Sequence, residues 1–433
     1  MRLIYSMCFG ALLCFASLSI AASMPTLSLK QTIASALEHD VWQERNALQQ
    51  LSTVANADVV AAWPNPQVNL SVANIAADSL AFNQENMSQF KVGLTQQFAR
   101  GNTLALKKRQ ALVDSSRFPL LAIDREERLR VLVAQHWFRA YQARRNITLI
   151  LEGRELFEQL IDLSKRSYQV GHRRTMQSDL ISAQVELTVL DDRIAQLKMT
   201  ADTYRQQLGQ WLPARLLSLP LSEQFSPIQT RLLPQDNTEL SWAGLLEKHP
   251  SVQVLYVKQR ARAFDIELAQ EQKKMQWGVN TSYGWRSDSP MGNRRNDLLS
   301  VGVSFDLPMF NRQQQSQRIN AAKASAQAVD TDKLLLIRQM RASALSLQAA
   351  MAQLSQRRDL YQNKLLPQTQ QQSQAALSAY RNDNGDFSAV IATHVSLLNR
   401  RIDSFNITIE QQILALQLNY YLAQTSFNGN QYE

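Results

Sequence analysis

Residues capable of chemistry are present in this chain but do not gather. Histidines stand at His39, His136, His172, His249 and His394, with no His-x3-His pair and no acid-rich run beside any of them. A metal site needs imidazoles one helical turn apart or convergent carboxylates, so this spacing predicts none. Glu126-Glu127 and Asp191-Asp192 are adjacent carboxylates, but neighbours on a helix point in different directions and cannot act as acid and base on one bond. Nucleophile elbows, phosphate-binding glycine loops and Cys/His constellations are all absent from the sequence. The expectation is a protein that is not an enzyme, with no catalytic residue, cofactor or metal. The net charge of +9 could suggest nucleic acid. The basic pairs Arg144-Arg145, Arg173-Arg174 and Arg400-Arg401 are instead scattered among acids along helical stretches, which reads as solvated helix faces. Among them, Arg173-Arg174 beside His172 is the best candidate for touching a protein partner.

The elements that would position these residues begin with an export signal. Arg2 precedes an apolar stretch from Leu3 to Ile20, and small residues follow at Ala21, Ala22 and Ser23. This is the order of a cleaved secretory signal over residues 1–23. Cys14 is preceded by the bulky Leu12 and Leu13, so no lipid anchor is expected. Cys8 and Cys14 are the only cysteines, and the exported chain would rely on packing rather than disulfides. With 45% hydrophobic residues and a mean hydropathy of -0.28 the composition is globular. No window beyond the signal has the roughly 18 apolar residues of a spanning helix. A membrane span would have to be built of strands.

The chain is internally duplicated. Val92, Gly93, Asn102 and Arg109 recur as Val301, Gly302, Asn311 and Arg318, each 209 positions later. Leu29, His39 and Tyr168 recur as Leu240, His249 and Tyr380 at nearly the same offset. Pro213, Pro220, Pro227 and Pro234 punctuate the stretch between copies. The units are therefore a signal over 1–23, a first repeat over 24–211, a linker over 212–239, a second repeat over 240–427 and a tail over 428–433.

Within each copy the hydrophobic period switches. Leu29 to Trp63 reads as helix, and Trp63-Pro64-Asn65-Pro66 stops it. Alternation then predicts hairpins at about 67–98 and 278–308: Val68, Leu70 and Val72 face away from Asn69 and Ser71, and Val301, Val303 and Phe305 away from Gly302 and Ser304. From about Leu104 to Tyr168 only Pro119 and Gly153 interrupt a helix that would run close to 100 Å. The return helix carries a seam of threes and fours through Leu180, Ala183, Leu187, Leu190, Ile194, Leu197, Ala201, Tyr204, Leu208 and Trp211, the 3.5-residue period of a coiled coil. Seams recur from Ile337 to Leu365, with a register break at Arg358, and from Ile391 to Leu416. The helices must fold back near Gly171 and Gly385. The fold class is mainly α with membrane β. Four strands cannot close a barrel, so subunits must combine: two would supply eight strands and three would supply twelve, and the larger barrel leaves room for an aqueous lumen.

This arrangement resembles the TolC family of trimeric outer-membrane efflux ducts, over essentially the whole exported chain. The matching strings are Trp63-Pro64-Asn65-Pro66, Val92-Gly93-Leu94-Thr95-Gln96-Gln97-Phe98 leading to Lys107-Lys108-Arg109, Asp179 to Leu187, and Val301 to Phe310. They are most similar to the CzcC- and CusC-like members that work with heavy-metal resistance-nodulation-division pumps. The resemblance implies a homotrimer with a 12-strand transmembrane β-barrel continuous with an α-helical coiled-coil barrel. It also implies outer-membrane lipid around the strands, a periplasmic adaptor at the helical tips and an inner-membrane pump below. The first tip falls on Tyr168, Val170 and Gly171, lengthened by His172, Arg173 and Arg174, and the second on Tyr380, Asn384 and Gly385. Where relatives place pore-narrowing carboxylates this chain has Ile391 and His394, leaving Asp383 and Asp386 as the nearby gate candidates. Two alternatives stay open: the same fold serving an ATP-driven protein exporter, and a periplasmic coiled-coil scaffold without a pore.

Overall fold

The computed structural model describes residues 25–169, 177–233, 238–308, 310, 312–382 and 385–425. Helices α1 (Leu29–Glu38) and α2 (Val41–Ala61) lead into strands β1 (Gln67–Ala73) and β2 (Gln89–Gln97), followed by α3 (Thr103–Ser115), α4 (Arg117–Gln169) and α5 (Gln177–Gln207). A short α6 (Ala214–Leu217) lies in the linker. Then come α7 (Glu239–Leu246), α8 (Pro250–Glu271), β3 (Trp277–Trp285), β4 (Leu298–Phe305), α9 (Arg312–Leu360), α10 (Leu366–Arg381) and α11 (Phe387–Tyr421). No described helix is long and apolar enough to cross a membrane.

Where the expected helices divide, a local cause is visible. Residues 29–61 form two helices because Asp40 turns the chain and N-caps α2, accepting from the Trp42 amide at 3.4 Å. Arg125 on α4 grips the same carboxylate with two bonds of 2.8 and 3.1 Å. The stretch from Leu104 to Tyr168 breaks at Ser116, since Pro119 cannot donate to the Ser115 carbonyl four residues back. The longer piece, α4, has 53 residues, which is about 80 Å rather than 100 Å. Between α9 and α10, Tyr361–Leu365 form one π turn. Pro367 has no amide to donate to Asn363, and the chain accommodates this just upstream as a π turn, whereas Arg358 lies before it within α9 and interrupts the seam only as a polar residue at a seam position.

The seams become cores. Ala183, Leu190 and Ile194 of α5 pack with Ile150, Phe157 and Ile161 of α4 and with Phe387, Ile391, Leu398 and Ile402 of α11. Ile337, Met340 and Ala344 of α9 pack on Trp242 and Leu246 of α7 and Leu418 of α11. A third core gathers Trp137, Phe138 and Tyr141 of α4 around Leu208 and Trp211, Leu27 and Leu221. The proline-marked linker belongs to this core. Leu27 pairs with Leu221 in a parallel bridge, and Phe225 meets Phe138 and Tyr141 edge-on at 5.1 and 5.5 Å.

All four strands form one antiparallel sheet in the order β1-β2-β3-β4. Pairs such as Leu70↔Val92, Val92↔Tyr283 and Tyr283↔Leu299 put the alternating apolar residues of every strand on one face. Among the described residues the outer edges of β1 and β4 have no partner.

Candidate functional site

Two surfaces carry the functional expectations, the sheet and the helical tips. On the apolar face of the sheet Val68, Leu70, Leu299 and Val301 are all 65% or more exposed. No described helix covers them, and an exposed apolar face of this kind calls for an apolar surrounding or partner. Aromatic rings bracket the face. Trp63–Phe98 and Trp277–Phe305, both at 5.4 Å, stand at the end joined to the helices, and Phe82 stacks on Trp285 at 5.6 Å at the loop end. Such bracketing suits the two interfaces of a bilayer. The opposite face is hollowed into a trough of about 370 Å³ lined by Asn69, Ser71, Lys91, Asn280, Ser282 and Ser300. Gly284 and Gly302 leave room on this face for the side-chain amides of Gln89 and Asn280.

The joint between sheet and helices is polar and specific. Gly101 has φ of +44°, which frees the Asn102 amide to donate to the Glu271 carboxylate at 2.8 Å. Lys274 and then the Asn102 amide hold the Glu271 pKa below its usual value. Arg100 pairs with Asp306, which also accepts from the Gln276 amide at 2.7 Å.

At the second tip, α10 ends at Arg381 and α11 begins at Phe387. Tyr380 packs on Phe387 with ring centroids 5.6 Å apart. A Cβ at Gly385 would lie 2.6 Å from the Tyr380 amide nitrogen and 2.9 Å from the Ala379 carbonyl carbon, so the turn admits no side chain there. Asp386 N-caps α11, accepting from the Ser388 amide at 3.4 Å and from its hydroxyl. Ile391 is buried in the helix core. Val170, Gly171, His172, Arg173, Arg174, Asp383 and Asn384 lie outside the described residues, as does the side chain of Tyr168.

The other chemistry-bearing residues are dispersed among structural tasks. Glu127 binds Arg231, Asp191 binds Arg154, and Asp192 accepts from Gln196. Among the described residues no three His, Cys, Asp or Glu side chains converge as metal ligands. His39 bonds the Ser35 carbonyl at 2.8 Å. His249 is fully buried, with Nδ1 accepting from the Ser251 amide at 3.2 Å. Its Nε2 must therefore carry the proton it donates to the Tyr420 carbonyl at 3.0 Å. Beside it, Asp124 accepts from Ser251 at 2.6 Å and Tyr420 at 2.9 Å and pairs with Arg128 at 2.8 Å. This cluster joins α4, α8 and α11; the sequence marked only His249, as an isolated histidine and a repeat position, and gave no sign of its partners.

Burial lowers the pKa values of His136, His249 and His394 below the usual 6.5. Each is neutral in the fold, while the unfolded chain takes up protons as pH falls through about 6.5. Stability is therefore held above that pH and lost below it. Thermal denaturation is expected at a lower Tm at pH 5.5 than at pH 7.5. His249→Asn, which keeps an N-cap, should flatten the dependence, and an unchanged pH profile in that variant would refute the assignment of His249.

No protein-family model and no curated relative matches the sequence. Solved structures do match in fold. CusC, in structures describing transmembrane channel formation, superposes with a TM-score of 0.76 over 93% of each chain at 16% identity. The outer-membrane channel OprN gives a TM-score of 0.75 at 14% identity over 92% of this chain and 90% of its own. The Campylobacter jejuni outer-membrane channel CmeC gives 0.69 at 13% identity over 93% and 87%. The fold of this chain is that of the TolC-type outer-membrane efflux channels.

Proposed function

We propose that three copies of this chain form the outer-membrane duct of a tripartite efflux pump. The observation that carries this reading is the four-stranded sheet, with one apolar face and two open edges, at the end of long helices of which α4 runs about 80 Å. In lipid an open edge leaves amides and carbonyls unsatisfied. Pairing β4 of one copy with β1 of the next closes a 12-strand barrel with the polar trough inside. The halves 24–211 and 240–427, joined by 212–239, are two copies of one wall unit, with 428–433 as a tail. Residues 1–23 direct export and are removed without lipidation.

The tips, with Tyr168 to Arg174 on one hairpin and Tyr380, Asn384 and Gly385 on the other, face a periplasmic adaptor linked to an inner-membrane pump. In this reading Asp383 and Asp386 are the gate candidates, and Asp386 also caps α11. The likeness of the sequence strings to CzcC- and CusC-like members supports a heavy-metal pump as partner. The duct conducts passively and catalyses nothing. A scaffold without a pore would have no use for the apolar sheet face.

The protein is expected in the outer-membrane fraction, released only by detergent, and running as a trimer that boiling converts to monomer. Release by osmotic shock as a soluble monomer would overturn the reading.

A further inference from the structure

Lys91 is the only charged residue in the four strands. The register fixes its face: it pairs with Ser71 on one side and Gly284 on the other, both on the polar side of the sheet. It lines the trough with neutral Asn, Ser, Thr and Gly neighbours. Among the described residues no carboxylate pairs with it. It is the third residue of β2, close to the loop end of the sheet. The loops above carry charges of both signs, Arg286, Arg294 and Arg295 against Asp78, Glu85, Asp288 and Asp297. At the other end Asp306 is taken up by Arg100.

From this placement we infer that Lys91 makes the outer mouth of the duct anion-selective, so that its preferred cargo leaves as an anionic solute and not as a free divalent cation. The inference rests on the trimeric duct proposed above, which sets three Lys91 ammonium groups around one aqueous axis. Charged rings in a pore select by sign. Three unit charges about 10 Å from the axis, screened over about 10 Å at 0.1 M salt, favour a monovalent anion over a cation by about fourfold. A divalent cation meets twice the repulsion. A metal crossing this mouth would pass most readily with its charge reversed by ligands, as an oxyanion or an anionic chelate.

Purified trimers in planar bilayers under a KCl gradient test this. The wild type is expected to show a chloride-to-potassium permeability ratio of about four, Lys91→Gln a ratio near one, and Lys91→Glu a ratio below one. Lys91→Cys gives a charge rescue, since the native cysteines both lie within the first 23 residues. A cationic thiol reagent should restore anion preference and an anionic reagent should reverse it. A wild-type channel that prefers potassium overturns the inference, and so does an ion preference that ignores every change at position 91. A preparation that forms no channel at all overturns the duct itself.

Discussion

Replacing Val301 with arginine is expected to abolish heat-sensitive trimers in the outer membrane, while replacing its neighbour Ser300 with arginine leaves them intact. The two positions are adjacent on β4 and differ only in face. Val301 pairs with Thr281 in the row that holds Leu94 and Val68, whereas Ser300 pairs with Ser282 on the trough side. A strand presents successive side chains to opposite faces, so one step along the chain moves a charge from lipid to lumen. Val301 lies midway along β4 (Leu298–Phe305), near the middle of the apolar band. An arginine on the lipid face at that depth costs about 2–4 kcal/mol per chain, and a trimer carries it three times. At Ser300 the guanidinium stays in water. Unheated gels of outer-membrane fractions would read the difference. Loss with Ser300→Arg and survival with Val301→Arg would mean the faces are reversed, and equal tolerance of both would place the sheet outside lipid.

The local periods were enough to read the strands and the helical seams. Strict alternation around Val301 and Tyr283, and the threes and fours from Leu180 to Trp211, each depend on neighbours within a few residues. Pairing of β2 with β3 joins Val92 to Tyr283, and alternation says only that both belong to some sheet. The same limit hid the cluster of Asp124, His249 and Tyr420, whose members are far apart in sequence and ordinary one by one. Asp386 and Ile391 could be placed near the second tip from their numbers. Their capping and burial depend on how α10 and α11 meet. That Lys91 is the lone charge of the four strands, and that no carboxylate among the described residues pairs with it, emerged only with the strand bounds and the sheet register.

The linker shows the same limit most sharply. Four prolines over 212–239 read as a spacer, but a stretch with little regular structure beyond the short α6 can still bury its side chains in a neighbour's groove. Here Leu212, Leu221, Phe225 and Ile228 complete the core built on Trp137. Trp137 is fully buried, stacks on Tyr141 with ring centroids 5.1 Å apart and donates its indole N–H to the Leu27 carbonyl at 3.1 Å. That carbonyl also accepts from the Ser222 amide at 3.1 Å, so one ring holds both the residue 27 segment and the linker against α4. Trp137→Ala is expected to cost about 3–5 kcal/mol through the cavity and the lost contacts. Trp137→Phe should cost less, because the ring packing survives without the N–H. If the linker were a loose spacer, protease sensitivity around 221–233 would be high in the wild type and unaffected by Trp137→Ala. The core assignment instead requires a resistant wild type in which this substitution exposes the linker to cleavage well below the global Tm, with Trp137→Phe intermediate.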